Sequence, residues 1–184
     1  MSRTWILTAL GKDRPGIVAG VTKLLFELGC NLEDSAMTRL GGEFAVMVVF
    51  TAPARLRAAY LERACTALGR RLTLTVHLKA LSNAELTRAT HGQPYRISVY
   101  GADRPGIVYR VSQLLAQLRI NITDVSTHRS SSSAGRARRP LYLMLLEVEL
   151  PRRVTARRLE RRLRVLAKSL GVSVNLRSAD AQVL

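Results

Sequence analysis

The stretch Gly11-Lys12-Asp13-Arg14-Pro15-Gly16-Ile17-Val18 returns ninety positions later as Gly101-Ala102-Asp103-Arg104-Pro105-Gly106-Ile107-Val108. The register then holds without a gap. Val21 matches Val111, and Leu24, Leu25 and Leu28 match Leu114, Leu115 and Leu118. Asn31, Asp34 and Arg39 match Asn121, Asp124 and Arg129. A chain of 184 residues that repeats itself at this spacing folds as two similar units of about ninety residues, not as one large core. Units that small bury little surface alone, so they are expected to share surface with each other or with a second chain.

Within the first unit, residues 4–10 form an apolar strand candidate, and the Asp-Arg-Pro-Gly turn opens a helix, with Asp just ahead and Pro in the first turn. Ile17, Val18, Val21, Leu24, Leu25 and Leu28 make one apolar stripe at helical spacing, and Gly29 is a left-handed stop. Residues 31–40 and 43–51 read as two strands joined by a Gly41-Gly42 turn. Pro53 starts a second helix that buries Leu56, Ala59, Tyr60, Ala64 and Leu68 and ends at Gly69, and residues 72–78 alternate as a last strand. The order β-α-β-β-α-β is the ferredoxin-like arrangement, an α+β fold with a four-stranded antiparallel sheet and two helices on one face.

Residues 82–93 are polar and read as a linker between a first unit, 1–81, and a second, 94–184. The second unit repeats the order, with strands at 95–100, 121–129, 141–150 and 172–176 and helices at 105–118 and 154–170. Its middle strands are joined by a Ser/Arg-rich loop, 130–140, expected to be mobile. Arg119 stands where Gly29 stood, which predicts a different backbone geometry at that helix end.

The repeated turn has chemistry suited to a small zwitterion. First-turn N–H groups and the helix dipole attract an anion. Gly16 and Gly106 keep no side chain between backbone and ligand, Asp13 or Asp103 can hold a cation, and the amides of Asn31 and Asn121 both donate and accept. The same residues also suit a capped strand-to-helix turn that binds nothing.

Three histidines, His77, His91 and His128, show no metal-ligand spacing, and Cys30 and Cys65 form no CxxC motif, so no metal or cofactor is expected and the cysteines read as structural thiols of a reduced compartment. No nucleophile–base set, Walker motif or GxGxxG is present, which predicts a protein that is not an enzyme. No apolar run reaches the roughly 18 residues of a membrane span, and no signal peptide is recognisable, which predicts a cytoplasmic protein.

The net charge of +16 is uneven: residues 1–90 carry 12 basic and 7 acidic side chains, residues 91–184 carry 17 and 6. Arg136, Arg138, Arg139, Arg152, Arg153 and Arg164 belong to this excess, and Arg157, Arg158, Arg161, Arg162 and Lys168 share one helical face opposite Leu159, Leu163, Leu166 and Leu170. That face can track phosphates, dock an acidic protein, or simply be solvated. No helix-turn-helix, zinc finger or aromatic reader accompanies it.

The motif Gly11-x-Asp13-Arg14-Pro15-Gly16-Ile17-Val18, followed by Gly29-Cys30-Asn31-Leu32-Glu33-Asp34-Ser35 and Leu40-Gly41-Gly42-Glu43-Phe44, resembles an ACT domain. The second half keeps the first motif but reads Ile120-Asn121-Ile122-Thr123-Asp124-Val125 in place of the second. The resemblance implies an amino-acid-sensing regulatory protein with ligands held where ACT units meet. It carries ligand contact to Asp13, Arg14, Gly16, Ile17 and Asn31, and to Asp103, Arg104, Gly106, Ile107 and Asn121. It further implies a small amino acid such as glycine as effector, a homodimer, and control of transcription through a partner DNA-binding protein. Direct nucleic-acid binding by the Arg-rich half, or service as the regulatory subunit of an amino-acid-metabolism enzyme, are the alternatives.

Overall fold

The computed structural model describes residues 3–82, 92–130 and 140–179. The chain divides into two compact units, Met1–Ala89 and Thr90–Leu184. Most of the expected linker, His91, and the Ser/Arg loop with Arg136, Arg138 and Arg139 lie outside the described residues.

The first unit runs β1 (Arg3–Lys12), α1 (Ile17–Glu27), β2 (Asn31–Leu40), β3 (Glu43–Ala52), α2 (Ala58–Leu72) and β4 (Leu74–Leu81). Its sheet has the order β2-β3-β1-β4, antiparallel at every pairing. Alternation decides which face is covered. Trp5, Leu7 and Ala9 of β1 and Phe44, Val46, Val48, Phe50 and Ala52 of β3 are buried, and they form one cluster with Ile17, Val21 and Leu25 of α1 and Leu61, Cys65 and Leu68 of α2. The two helices therefore cover one face of the sheet.

The second unit runs β5 (Gly92–Ala102), α3 (Ile107–Gln117), β6 (Asn121–Ser130), β7 (Leu141–Pro151), α4 (Ala156–Leu170) and β8 (Val172–Ser178), with the order β6-β7-β5-β8. β5 begins at Gly92, two residues inside the stretch read as linker. The sheets also extend the repeat into the second half of each unit. Trp5 pairs with Phe50, and Tyr95 with Val148, so Phe50 and Val148 are equivalent at a spacing of 98. Each unit is thus an α+β, ferredoxin-like β-α-β-β-α-β fold.

Three local expectations are corrected. α2 buries Leu61, Cys65, Leu68 and Gly69, while Tyr60 is 53% exposed and Ala59 is exposed as well. The helix begins at Ala58, not Pro53, and its covered face follows Leu61, Cys65 and Leu68 at spacings of four and three. Gly69 does not end α2, which runs on to Leu72 and a left-handed Thr73; a Cβ at Gly69 would stand 2.8 Å from the Leu74 carbonyl oxygen, so the glycine lets helix and β4 touch. Finally, Arg119 does not change the helix end: it holds φ 53°, the same left-handed conformation as Gly29 at φ 71°.

Among the described residues no helix is long and apolar enough to cross a membrane, and no group of His, Cys, Asp and Glu is placed to hold a metal ion.

Candidate functional site

The repeated turn is anchored on the hairpin beside it. β1 ends with Lys12 opposite Glu43, and the Asp13 N–H donates to the Gly42 carbonyl at 2.9 Å. The Asp103 N–H likewise donates to the Pro140 carbonyl at 3.0 Å. The chain then enters α1 through Gly16 (φ 94°) and α3 through Gly106 (φ 90°), both in the region that favours glycine. Among the described residues, a Cβ at either glycine would meet no atom within 4 Å, so the space above each helix start is open.

Among the described residues no side chain caps either helix, although the sequence predicts Asp in that role. The two aspartates turn away instead. Asp13 pairs with Arg39 at 3.2 Å and Asp103 with Arg129 at 3.0 Å, each carboxylate about one-third exposed and each arginine more than two-thirds. A pair this exposed contributes about 0.2–1 kcal/mol, little enough for a ligand to open it. Each unit therefore presents an uncapped helix N-terminus, attractive to a carboxylate, beside an ion pair whose halves match the charges of a zwitterion. Arg39 and Arg129 were not singled out as site residues from the sequence; their matching positions in the repeat were the available signal.

The other expected contacts fall into different roles. Arg14 donates to the Arg71 carbonyl at 3.5 Å and Arg104 to the Leu170 carbonyl at 3.3 Å, at the C-terminal ends of α2 and α4, where a cation complements the helix dipole. They tie the turn to the second helix of the unit. Ile17 and Ile107 are each 2% exposed and belong to the cores. Asn31 pairs with Thr51, which pairs with Thr4, at the opposite end of the sheet from Asp13. Eight strand positions separate Thr4 from Lys12, about 27 Å at the rise of a strand. Asn121, opposite Glu149, stands at the same remove from Asp103. Within one unit the structure does not bring the asparagine to the aspartate.

The two turns are not identical. Register places Tyr142 where the first unit has Phe44. Its hydroxyl is buried beside Thr127. Burial, followed by the nearby Asp103 carboxylate, pushes its pKa up, with Thr127 opposing. The cavity of about 520 Å³ in the first unit lies on the β4 and α2 side of β1, lined by Leu10, Gly11, Gly69 and Thr73 among others and by none of the five expected ligand contacts.

On α4, Arg157, Arg158, Arg161 and Arg162 are all exposed, as expected. Arg164 is bound to Glu160 at 2.6 Å. His77 is exposed on β4, and His128 shares a 2.9 Å hydrogen bond with Ser126 on β6.

Both cysteines are free thiols. Burial raises the pKa of Cys30; burial, then the charge of Cys30, pushes Cys65 up to about 11. The unfolded chain releases the Cys65 proton near its ordinary 9.0, before the folded chain does. Stability is therefore expected to fall by on the order of 2–3 kcal/mol as pH rises from about 9 to about 11. Urea titrations of the wild type and Cys65→Ala across that range check this: the slope with pH should be shallower in the variant.

A duplicated β-α-β-β-α-β module with an open glycine turn at each first helix is the build of a tandem regulatory module. The family model for the ACT domain matches residues 3–79 and 95–177, and the chain belongs to the ACT-domain family. It is 29% identical over 136 residues to the glycine cleavage system transcriptional repressor of Escherichia coli (strain K12), covering 72% of this chain and 68% of that protein. Over 75 residues it is 35% identical to a UPF0237 protein of Streptococcus pneumoniae, covering 41% of this chain and 85% of the relative. The crystal structure of an unknown protein from Galdieria sulphuraria superposes with TM-score 0.83 at 24% identity, over 97% of this chain and 99% of that one.

Proposed function

We infer that the chain is a cytoplasmic, amino-acid-responsive regulator of transcription that acts through a partner DNA-binding protein and not as an enzyme. The observation that carries this reading is the turn built twice: an open glycine at an uncapped helix start, next to a weak Asp–Arg pair. The α-carboxylate of a small amino acid takes the helix N–H groups or the arginine, and its ammonium takes the aspartate. The open space above Gly16 and Gly106 lets an amino acid such as glycine approach the backbone. The transcriptional part rests on the likeness to the glycine cleavage repressor, whose name states that role. Neither asparagine reaches the aspartate of its own unit; in a homodimer Asn31 and Asn121 would join such a site from the second copy, and β2, exposed along all ten residues, is an edge on which that copy can pair.

For binding to switch anything, the ligand must favour one arrangement of the protein over another. Calorimetry with glycine, serine, alanine and the branched-chain amino acids is expected to show binding by at least one of them, weakened tenfold or more in Asp13→Ala with Asp103→Ala. Silence across the panel would sink the reading. The exposed arginines of α4 support direct nucleic-acid binding as the rival. Sequence-selective DNA binding that survives physiological salt would favour it, and affinity that vanishes with salt would not.

A further inference from the structure

A cavity of about 290 Å³ in the second unit lies where the end of α3 meets the turn into α4, lined by Gln117, Leu118, Arg119, Arg153, Val154 and Arg158. It is far from the Asp103 turn, at the other end of α3. Half of its lining residues are arginines, and among the described residues no carboxylate pairs with any of the three. Guanidinium groups gathered without a counter-charge repel one another, so the arrangement gains from an anion that they share. The first turn of α4 adds the positive end of its dipole, while the C-terminal end of α3 opposes at about half a charge against three full ones.

The first unit supplies an internal comparison. The spacing of 90 through the first helix, and of 98 beyond the insertion, places Glu27, Gly29, Arg55 and Tyr60 at the positions of Gln117, Arg119, Arg153 and Arg158. The first unit thus has one cation and one anion at this place, with Glu27 engaged by Lys23 at 3.0 Å. The second unit has lost the acid and gained two arginines. One of them, Arg119, occupies a left-handed position (φ 53°) where its counterpart is glycine. Three changes in the same direction at one cavity, one of them against backbone preference, exceed what a solvated surface requires.

We propose that this cavity binds a phosphate-bearing small molecule. Phosphate accepts paired N–H donors from guanidinium forks, which suits arginine better than lysine. Leu118 and Val154 give the organic part of a phosphate monoester an apolar wall. This ligand would be a second input, separate from the amino acid at the repeated turns.

The test is calorimetry of the full chain with inorganic phosphate, pyrophosphate and glycerol 3-phosphate in 0.15 M salt. One saturable site per chain is expected, weakened at least tenfold in Arg119→Gly and in Arg158→Tyr. Both variants restore residues of the first unit, and glycine suits the backbone at 119, so loss of folding does not obscure the result; thermal melts confirm it. Tighter binding of the monoester than of phosphate points to a metabolite as the source, and equal binding to free phosphate. Absence of saturable binding to all three, or binding unchanged in both variants, overturns the proposal. So does duplex DNA that binds more tightly than pyrophosphate with the same dependence on Arg119 and Arg158. Amino-acid binding, read in parallel with the aspartate variants, fails or survives independently.

Discussion

Phe50→Ala is expected to cost the first unit about 3–5 kcal/mol, a large part of the roughly 5–15 kcal/mol that holds an ordinary domain together. Phe50 is fully buried on β3, and its strand neighbours on either side are Trp5 of β1 and Leu32 of β2. It lies on the face covered by the helices, so its removal leaves a cavity among groups already fixed by the sheet. Val148, its counterpart in β7, is smaller, and Val148→Ala should cost clearly less. Urea melts of both variants measure the difference. A loss under about 1 kcal/mol for Phe50→Ala would mean that the core closes over the gap.

The second large effect is expected at Gly11, where valine should cost about 2–3 kcal/mol. A Cβ at Gly11 would stand 2.7 Å from Leu74 Cδ2 and 2.9 Å from the Thr73 carbonyl oxygen. The leucine tip can turn away; the carbonyl belongs to the backbone and cannot move without shifting β4. Gly16→Ala is the contrasting control. There the new Cβ meets nothing, and the cost is conformational alone, roughly 1–2 kcal/mol for a left-handed residue that is not glycine. Melts showing Gly16→Ala as the worse of the two would contradict this ordering.

Much of the fold could be read from residue order because each element has a distinct period. The alternation in β1 and the 3.6-residue stripe of α1 are local signals, and the repeat supplied a second copy of both. Stripe placement failed for α2, where alanine and tyrosine at helical spacing mimicked a buried side while Cys65 and Gly69 faced the core. The site was less legible because its defining contacts are distant in sequence. Asp13 meets Arg39 across 26 residues, Arg14 meets the Arg71 carbonyl across 57, and Arg104 meets the Leu170 carbonyl across 66. The position of Asn31 was available from topology: α1 runs back along β1, so β2 must begin at the far end of the sheet from the turn. Arg119 shows the limit of a rule about residue preference, since the fold kept a left-handed helix end after losing its glycine.

β2 and β6 share an irregularity at the same place, a register shift between Leu32 and Asp34 and between Ile122 and Asp124. In terms of polymer growth, this interrupts one of the two outer edges of each sheet. A strand arriving alongside β2 finds an even ladder only from Asp34 to Leu40, then a residue too many and a sharper twist. Unlimited edge-to-edge stacking needs long, flat, identical edges, and here the template ends after seven positions. The bulge therefore sets the length of partner these two edges can take: a strand pairing from Asp34 to Leu40 gains no even ladder beyond it.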